Sequence, residues 1–274
     1  MKARDKIVEV SKALKEAGID DYMEADWLVA LAIGANRLSE LTGKVFDKND
    51  IQKIDTVLSE RIKGKPLAYI IGNTEFYKRV FEVNSNVLIP RPETELLVQK
   101  VIEEIISIKS DVCVLDLCSG SGAIGITISL ETNAKVTCSD ISDGAIETIK
   151  VNMKNLNANV EVICSDLFEK IDGKFDIIVS NPPYIKSLDI LQLDREVKDF
   201  EPHLALDGGE SGLVFYEKII QDAPNFLNKG GKLFFEIGIE QSGDIVSLME
   251  KEFEDIKVLK DYNNIDRIII GKLR

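Results

Sequence analysis

The spacing of apolar residues changes along the chain, from a helical period to an alternation of strands and helices. Over the first 66 residues, apolar side chains recur every three or four positions in three stretches, which predicts three helices. Asp20 or Asp21 can cap the second helix, and Asn49 or Asp50 the third. We expect a small helical domain over residues 1–66.

The next segment, residues 67–89, has a different pattern. Strand-forming residues are frequent here, and Asn84-Ser85-Asn86 has the composition of a turn. This pattern predicts a β-hairpin that links the helical domain to the rest of the chain.

Short apolar runs alternate with amphipathic stretches over residues 90–274. The predicted strands cover residues 112–117, 135–139, 160–163, 175–180, 231–236, 253–259 and 266–270. Helices are expected between them, including one over residues 213–227. Such alternation predicts an α/β domain with a mostly parallel, seven-stranded sheet and helices on both faces.

Charge separates the two parts of the chain. Residues 1–89 contain 14 basic and 14 acidic residues, whereas residues 90–274 contain 20 basic and 33 acidic residues, which accounts for the net charge of −13. Nucleic-acid binding draws its affinity from lysine and arginine. We therefore expect no direct nucleic-acid partner.

Several other classes of protein are disfavoured by composition. No apolar run approaches the ~18 residues of a membrane span, and the charged N-terminus is unlike a secretion signal. The four cysteines form no C-x-x-C pair and His203 is the only histidine, so no metal site is expected. The pattern favours a cytoplasmic protein with reduced thiols, and we expect a monomer.

A glycine-rich loop follows the first strand of the α/β domain. Gly120, Gly122 and Gly125 satisfy the G-x-G-x-x-G pattern, in which glycines let the backbone turn and approach a ligand closely. Asp140 ends the next strand, where an acid can accept hydrogen bonds from ribose hydroxyls. These features fit NAD as well as S-adenosylmethionine. The predicted cofactor-binding residues at these two strand ends are Asp116, Cys118, Ser119, Gly120, Ser121, Gly122, Asp140 and Ile141.

Two further acids favour S-adenosylmethionine. Asp116 can neutralise a cationic amino-acid tail, which a dinucleotide lacks, and Asp166 is placed to bind an adenine amino group. Leu167 or Phe168 can lie against the adenine ring. The structural alternatives are that Asp116 braces the loop and that Asp166 caps a short turn.

A rigid polar turn follows the strand predicted over residues 175–180. The turn is Asn181-Pro182-Pro183-Tyr184, and its two prolines end the strand and restrict the backbone. The Asn181 side-chain oxygen and the Pro182 carbonyl can accept hydrogen bonds from a planar amide or amino nitrogen, while Tyr184 packs on its flat face. We predict that this turn, Pro183 included, binds the substrate, and that Asn181 binds the cofactor as well. Asn181, Pro182 and Tyr184 are predicted to take part in methyl transfer.

The same tetrapeptide resembles the signature of amino-group N-methyltransferases with the Rossmann-like class I fold. Residues 66–72, 75–77, 89–95 and 201–209 resemble, more narrowly, bacterial release-factor glutamine methyltransferases, the HemK/PrmC family. The resemblance covers nearly the whole chain. It departs from the family at Cys118, where glycine is common, and at Leu167, where an aromatic residue is common.

This resemblance implies a specific reaction. The family transfers a methyl group from S-adenosylmethionine to the side-chain amide nitrogen (N5) of the glutamine in the Gly-Gly-Gln loop of peptide-chain release factors 1 and 2. The helical domain would dock the release factor. Methylation of a ribosomal protein's glutamine, methylation of an adenine or guanine amino group, and cofactor binding without catalysis are the alternatives.

Overall fold

The computed structural model describes residues 1–19, 23–35, 37–108 and 111–274. The predicted caps Asp20 and Asp21 lie outside the described residues. The chain divides into two compact units, one of residues Met1–Asn73 with Asp194–Phe200 and one of residues Thr74–Leu193 with Glu201–Arg274.

The first unit is helical. Its helices are α1 (Ala3–Glu16), α2 (Glu24–Ala32), α3 (Lys48–Arg61), α4 (Leu67–Ile71) and α8 (Arg195–Lys198), with a 3₁₀ helix over Leu38–Leu41. Val10, Leu28 and Ile54 are fully buried between them. The predicted caps of α3, Asn49 and Asp50, are wrong by two and three residues. Asp47 is the cap, and its side chain accepts a hydrogen bond from the backbone of Asp50 at 2.8 Å.

The predicted hairpin is present but shorter than expected. Strands β1 (Asn73–Phe76) and β2 (Arg79–Glu82) meet at Tyr77 and Lys78, whose φ angles are 48° and 61°. The prediction was wrong over residues 67–71, which form α4, and over residues 84–86, which follow the hairpin instead of turning it. Two positive φ angles suit the turn because they match the right-handed twist of the flanking strands.

A seven-stranded sheet forms the centre of the second unit. Its strands are β3 (Cys113–Leu117), β4 (Lys135–Asp140), β5 (Val160–Cys164), β6 (Phe175–Ser180), β7 (Leu227–Glu236), β8 (Phe253–Lys260) and β9 (Asp266–Leu273). Their order is β5-β4-β3-β6-β7-β9-β8; β9 runs antiparallel to both of its neighbours, β7 and β8, and the other pairs are parallel. The predicted α/β class and mostly parallel seven-stranded sheet are confirmed.

Helices cover both faces of this sheet. They are α5 (Thr94–Ser107), α6 (Ala123–Glu131), α7 (Asp143–Leu156), α9 (Val214–Asp222) and α10 (Ser242–Met249). The first three pack on one face in a core that includes Leu97 and Ile149, and the last two pack on the other with Tyr216 and Ile245.

The largest differences from the predicted boundaries lie where α9 is followed by β7, which starts at Leu227 and not at residue 231. Helix α9 ends at Asp222 and not at residue 227, because a 3₁₀ turn with Pro224 follows and β7 already starts at Leu227. No helix among the described residues has both the length and the apolar character needed to cross a membrane.

Candidate active site

Four parallel strands end at one edge of the sheet, and each is followed by residues with candidate chemistry. The register aligns Leu117 of β3 with Ser139 and with Ser180, and Asp140 with Cys164. The carboxyl edge of an open parallel sheet is where such folds bind ligands. The strand order therefore gathers segments from distant parts of the sequence.

The loop after β3 turns through three left-handed residues. Cys118, Gly120 and Gly122 have φ angles of 59°, 55° and 78°. Glycine adopts this conformation without strain, whereas a side chain such as that of Cys118 adopts it only at a cost. The position where the family commonly has glycine thus has the backbone conformation that favours glycine.

Ser119 fastens this loop to the neighbouring strand. Its hydroxyl donates to the Asp116 carbonyl at 2.8 Å and accepts from the Ser139 backbone at 2.9 Å. Two backbone donors then hold Asp140: Gly120 at 2.8 Å and Ser142 at 2.9 Å. Burial raises the pKa of Asp140, and these hydrogen bonds oppose that rise.

Asp116 lies below the loop and does not line the cavity beside it. It is fully buried, and one of its oxygens accepts a hydrogen bond from the backbone of Gly125 at 2.9 Å. Its second oxygen has no partner in the part of the chain that the structure describes. Burial raises the pKa of Asp116 to about 7, although the hydrogen bond from Gly125 opposes the rise. This placement corresponds to a loop-bracing acid, and the contact of Asp116 with the cofactor stays a prediction.

The segment after β5 separates two residues that were predicted to act alike. Leu167 has a φ of 45° and lines the cavity beside Asp166. Phe168 turns into the core, where its ring stacks on Phe226 at a centroid distance of 4.5 Å. Phe168 is therefore not positioned to lie against a ligand in the cavity.

Glycines support the turn that follows β6. A Cβ atom on Gly208 would lie 2.8 Å from the Cα of Tyr184, and one on Gly212 would lie 2.6 Å from the Tyr184 carbonyl oxygen. The Gln241 side chain donates to both the Tyr184 and the Gly212 carbonyls at 3.1 Å. The backbone of Asn181-Pro182-Pro183-Tyr184 is thus held from outside as well as by its own prolines.

Two oxygens of this turn are candidate acceptors: Asn181 lines the cavity, whereas Pro182 is buried and does not line it. None of the described residues donates a hydrogen bond to the Asn181 side-chain oxygen or to the Pro182 carbonyl. The Asn181 side-chain nitrogen instead approaches the Thr94 hydroxyl at 3.5 Å. Burial raises the pKa of the Tyr184 phenol to about 12, so it is neutral at physiological pH.

These strand ends surround a cavity of about 320 Å³. The predicted residues that line it are Cys118, Ser119, Gly120, Ser121, Asp140, Ile141, Asp166, Leu167, Asn181 and Pro183. Those that do not line it are Asp116, Gly122, Phe168, Pro182 and Tyr184. Most of the predicted cofactor-binding residues therefore lie around one cavity, and the others lie outside its lining.

The structure adds a wall that the site prediction missed. The segment between the hairpin and α5 lines the cavity through residues 85–88 and Arg91, and α5 lines it through Thr94. Leu204 and Phe215 line it as well. The Arg91 guanidinium is hydrogen-bonded to the buried Glu201 carboxylate. The sequence signal was the presence of residues 89–95 and 201–209 in the resemblance, but the pairing of these segments depends on the fold.

Comparison with known proteins gives two domain matches and many full-length relatives. The model of the methyltransferase small domain matches residues 92–208, and that of the PrmC N-terminal domain matches residues 6–72. A release factor glutamine methyltransferase of Clostridium acetobutylicum is 37% identical over 99% of this chain and 98% of its own. One of Geobacter sulfurreducens is 35% identical over 95% and 93%.

The chain belongs to the release factor glutamine methyltransferase family. It is an S-adenosylmethionine-dependent methyltransferase, which confirms the predicted enzyme class and cofactor. The glycine loop and the acid at the end of β4 suit such a cofactor, because the left-handed turn lets the backbone approach a ligand while Asp140 can accept from its hydroxyls.

Solved structures agree on the fold. A methyltransferase from Pyrococcus furiosus matches with a TM-score of 0.54 and 20% identity, covering 70% of this chain and 87% of its own. The 16S rRNA N2 G1207 methyltransferase of Thermus thermophilus matches with a TM-score of 0.55 and 18% identity, covering 74% and 50%. The shared architecture is the Rossmann-like class I methyltransferase fold.

Proposed function

We propose that this methyltransferase modifies the side-chain amide nitrogen (N5) of the glutamine in the Gly-Gly-Gln loop of peptide-chain release factors 1 and 2. One observation carries the chemistry: the Asn181 side-chain oxygen, in the lining of the cofactor cavity, has no hydrogen-bond partner among the described residues. Full-length identity to enzymes named for release factors supports the choice of substrate.

The amide nitrogen needs help because its lone pair is delocalised into the carbonyl. The Asn181 oxygen and the Pro182 carbonyl can accept its two N–H bonds, which fixes the plane of the amide and favours the positive charge that develops on the nitrogen. S-adenosylmethionine would supply the methyl group: its C–S bond would break as the N–C bond forms, which would leave a neutral thioether. The nitrogen then loses a proton to solvent. Positioning of this kind contributes roughly 7–11 kcal/mol to catalysis.

We assign the cofactor to the residues that line the cavity. Asp140 would accept from the ribose hydroxyls, Asp166 from the adenine amino group, and Leu167 would lie against the adenine ring. The backbone of Cys118 and Gly120 would approach the amino-acid tail. Asp116 contributes indirectly, since it holds the start of α6 through Gly125.

The helical domain would dock the release factor. Its match to the PrmC N-terminal domain supports this role. We retain the division into a docking domain (residues 1–66), a linker (residues 67–89) and a catalytic domain (residues 90–274). We also propose that the enzyme acts as a cytoplasmic monomer.

A labelling experiment tests the proposal. Purified enzyme is incubated with methyl-labelled S-adenosylmethionine and unmethylated release factor 1 or 2, and the labelled residue is identified by mass spectrometry. We expect label on the glutamine of the Gly-Gly-Gln loop and none on a release factor in which that glutamine is alanine.

Parallel reactions with ribosomal proteins and with DNA or RNA test the alternatives. Label on a ribosomal glutamine, or on an adenine or guanine amino group, with none on either release factor would overturn the proposed substrate. Within residues 90–274, acidic residues outnumber basic residues by 13, which argues against the nucleic-acid outcome.

A further inference from the structure

A buried carboxylate lies next to Asn181 at the ends of two adjacent strands. Ser180, the last residue of β6, pairs with Phe235 of β7. Asn181 and Glu236 each follow directly after this pair. Glu236 is 3% exposed and is absent from the cavity lining. Among the described residues, one of its oxygens has no hydrogen-bond partner.

Thr94 and Asn181 lie around this carboxylate. Both side chains favour the charged form of Glu236. Thr94 is itself 5% exposed, lies at the start of α5 and faces the Asn181 side-chain nitrogen. Two polar side chains of the cavity lining, Asn181 after β6 and Thr94 of α5, therefore meet the buried Glu236 at the end of β7.

The chemistry of these groups determines how the Asn181 amide is oriented. An ionised carboxylate only accepts hydrogen bonds, and an asparagine amide has a donating and an accepting end. The nitrogen of Asn181 must therefore face Glu236 and Thr94. Its oxygen is left pointing away from them, toward the ligand.

We propose that Glu236, assisted by Thr94, is a positioning residue that holds the Asn181 amide with its oxygen toward the substrate nitrogen. The inference rests on the proposed function of Asn181 as an acceptor. If Asn181 turned over, its NH₂ group would meet the N–H bonds of the substrate amide, and the acceptor would be lost. Glu236 would thus affect methyl transfer without touching the cofactor.

The ionisation of Glu236 is set by several neighbours. Burial raises its pKa to about 7, and the Thr94 hydroxyl, the charge of Arg267 and the Asn181 amide oppose the rise. Glu93 repels the charge of the ionised Glu236 carboxylate. That charge in turn helps to raise the pKa of the Tyr184 and Tyr216 phenols. Protonation gives the carboxyl a donor, which weakens its preference for the Asn181 nitrogen.

Steady-state kinetics with a release factor test the inference. Glu236→Leu removes the acceptor, and we expect kcat to fall by roughly 10–10² while the Kd for S-adenosylmethionine changes by less than about threefold. Glu236→Gln keeps an acceptor oxygen and should recover most of the rate. Thr94→Val removes the assisting hydroxyl and should also lower kcat. Its matched control is Thr127→Val, because Thr127 is a buried threonine away from the cavity whose hydroxyl has no partner among the described residues.

A second background separates positioning from general damage. In the Asn181→Ala enzyme, Glu236→Leu should cause no further loss of rate, because the side chain through which it acts is already gone. An equal fold-loss in both backgrounds would overturn the inference while leaving the proposed function intact. Absence of methyl transfer by the unmodified enzyme would instead count against the proposed function.

A readout independent of activity follows the amide directly. The side-chain NH₂ resonances of Asn181, assigned by their absence in Asn181→Ala, should titrate with an apparent pKa of about 7. Glu236→Gln should abolish that titration. Resonances that do not change with pH, or that titrate unchanged in Glu236→Gln, would contradict the proposed contact even if a variant were too unstable for kinetics.

Discussion

Asn181 illustrates how much a single side chain depends on its surroundings. Its type indicates an acceptor for an amide, but an asparagine can equally present a donor. The stiff turn of Pro182 and Pro183 fixes its backbone, and Gly208 and Gln241 hold that turn in place. Its function therefore requires both its own chemistry and a backbone that does not move.

Replacing Asn181 with alanine should remove the acceptor that faces the substrate nitrogen. We expect Asn181→Ala to lower kcat by ~10²–10³, as loss of an oriented polar contact in a transition state does. The measurement is single-turnover methyl transfer to release factor. Asn228→Ala is the control, because Asn228 is an exposed asparagine at the start of β7 that bonds Asp176 at 2.7 Å. A similar loss in both variants would contradict the role of Asn181.

Cys118 provides a second test at the scale of one residue. Its φ of 59° costs ~1–2 kcal/mol for a residue with a side chain, and glycine avoids this cost but adds ~0.5–1 kcal/mol of backbone entropy. Cys118→Gly should therefore raise the free energy of unfolding by about 0.5–1 kcal/mol. Cys118→Val should lower it, since a β-branched residue tolerates this conformation poorly. Urea unfolding of both variants checks the prediction, and a loss of stability in Cys118→Gly would refute it.

At the scale of elements, packing decides where the glycine loop lies. A Cβ atom on Gly125 would lie 2.4 Å from the sulfur of Cys138, so α6 approaches β4 as closely as it does only because this residue is glycine. The backbone N–H of Gly125, in the first turn of α6, also donates a hydrogen bond to the Asp116 carboxylate. The third glycine of the motif thus serves helix–sheet contact, while the first serves backbone conformation.

Helix α7 links the hairpin to this loop through one buried residue. The Asn152 side chain accepts from the Glu82 backbone at 2.7 Å and donates to the Glu82 and Ser121 carbonyls at 3.0 and 2.9 Å. The sequence placed Asn152 within a helix but did not indicate its partners. They lie 70 and 31 residues away along the chain.

Removing this link should affect stability and cofactor binding together. We expect Asn152→Leu to lower the free energy of unfolding by on the order of 3 kcal/mol, because three backbone groups lose their partner. The Kd for S-adenosylmethionine should rise, since Ser121 lines the cavity. Asn152→Asp keeps the acceptor for Glu82, so its stability and its Kd should lie between those of the unmodified protein and those of Asn152→Leu. Calorimetric titration and urea unfolding give both quantities, and an unchanged Kd would show that the loop is held without Asn152.

At the scale of the whole molecule, buried acids couple stability to pH. Asp116 has its pKa raised from 3.8 to about 7, chiefly by burial. The folded state therefore binds this proton more tightly than the unfolded state does. Its contribution to stability is complete below about pH 4 and is lost as the pH rises through 7.

Asp116→Asn isolates this effect. The variant keeps an oxygen that can accept from Gly125 but cannot ionise, so the stability of the unmodified protein relative to it should fall by ~2–3 kcal/mol between about pH 5 and about pH 8. Denaturant unfolding without cofactor measures the difference. The titration of Glu236 occurs in both proteins and cancels in the comparison. If the stability of the unmodified protein relative to Asp116→Asn rose with pH instead, the pKa of Asp116 would be lowered in the folded state.

Local pattern was sufficient for the elements and for the chemical groups at their ends. Periodicity identified the seven strands, because each buries apolar residues of its own, and strand β6 agrees with the prediction at both ends. The glycine loop, Asp140, Asp166 and Asn181 were recognisable from residue type and spacing. The hairpin was placed correctly only in part, since strand propensity at residues 67–71 yielded to helix α4.

Tertiary structure decided which of these groups face the ligand. Sequence alone determined that Asp116, Leu167 and Phe168 follow or end strands, but not that Asp116 lies beneath the loop or that Phe168 stacks on Phe226. Nor could it place Glu236 beside Asn181, because strand order joins residues 55 positions apart in the chain. The physical reason is that a side chain's burial and hydrogen-bond partners depend on neighbouring strands and helices, which local periodicity does not specify.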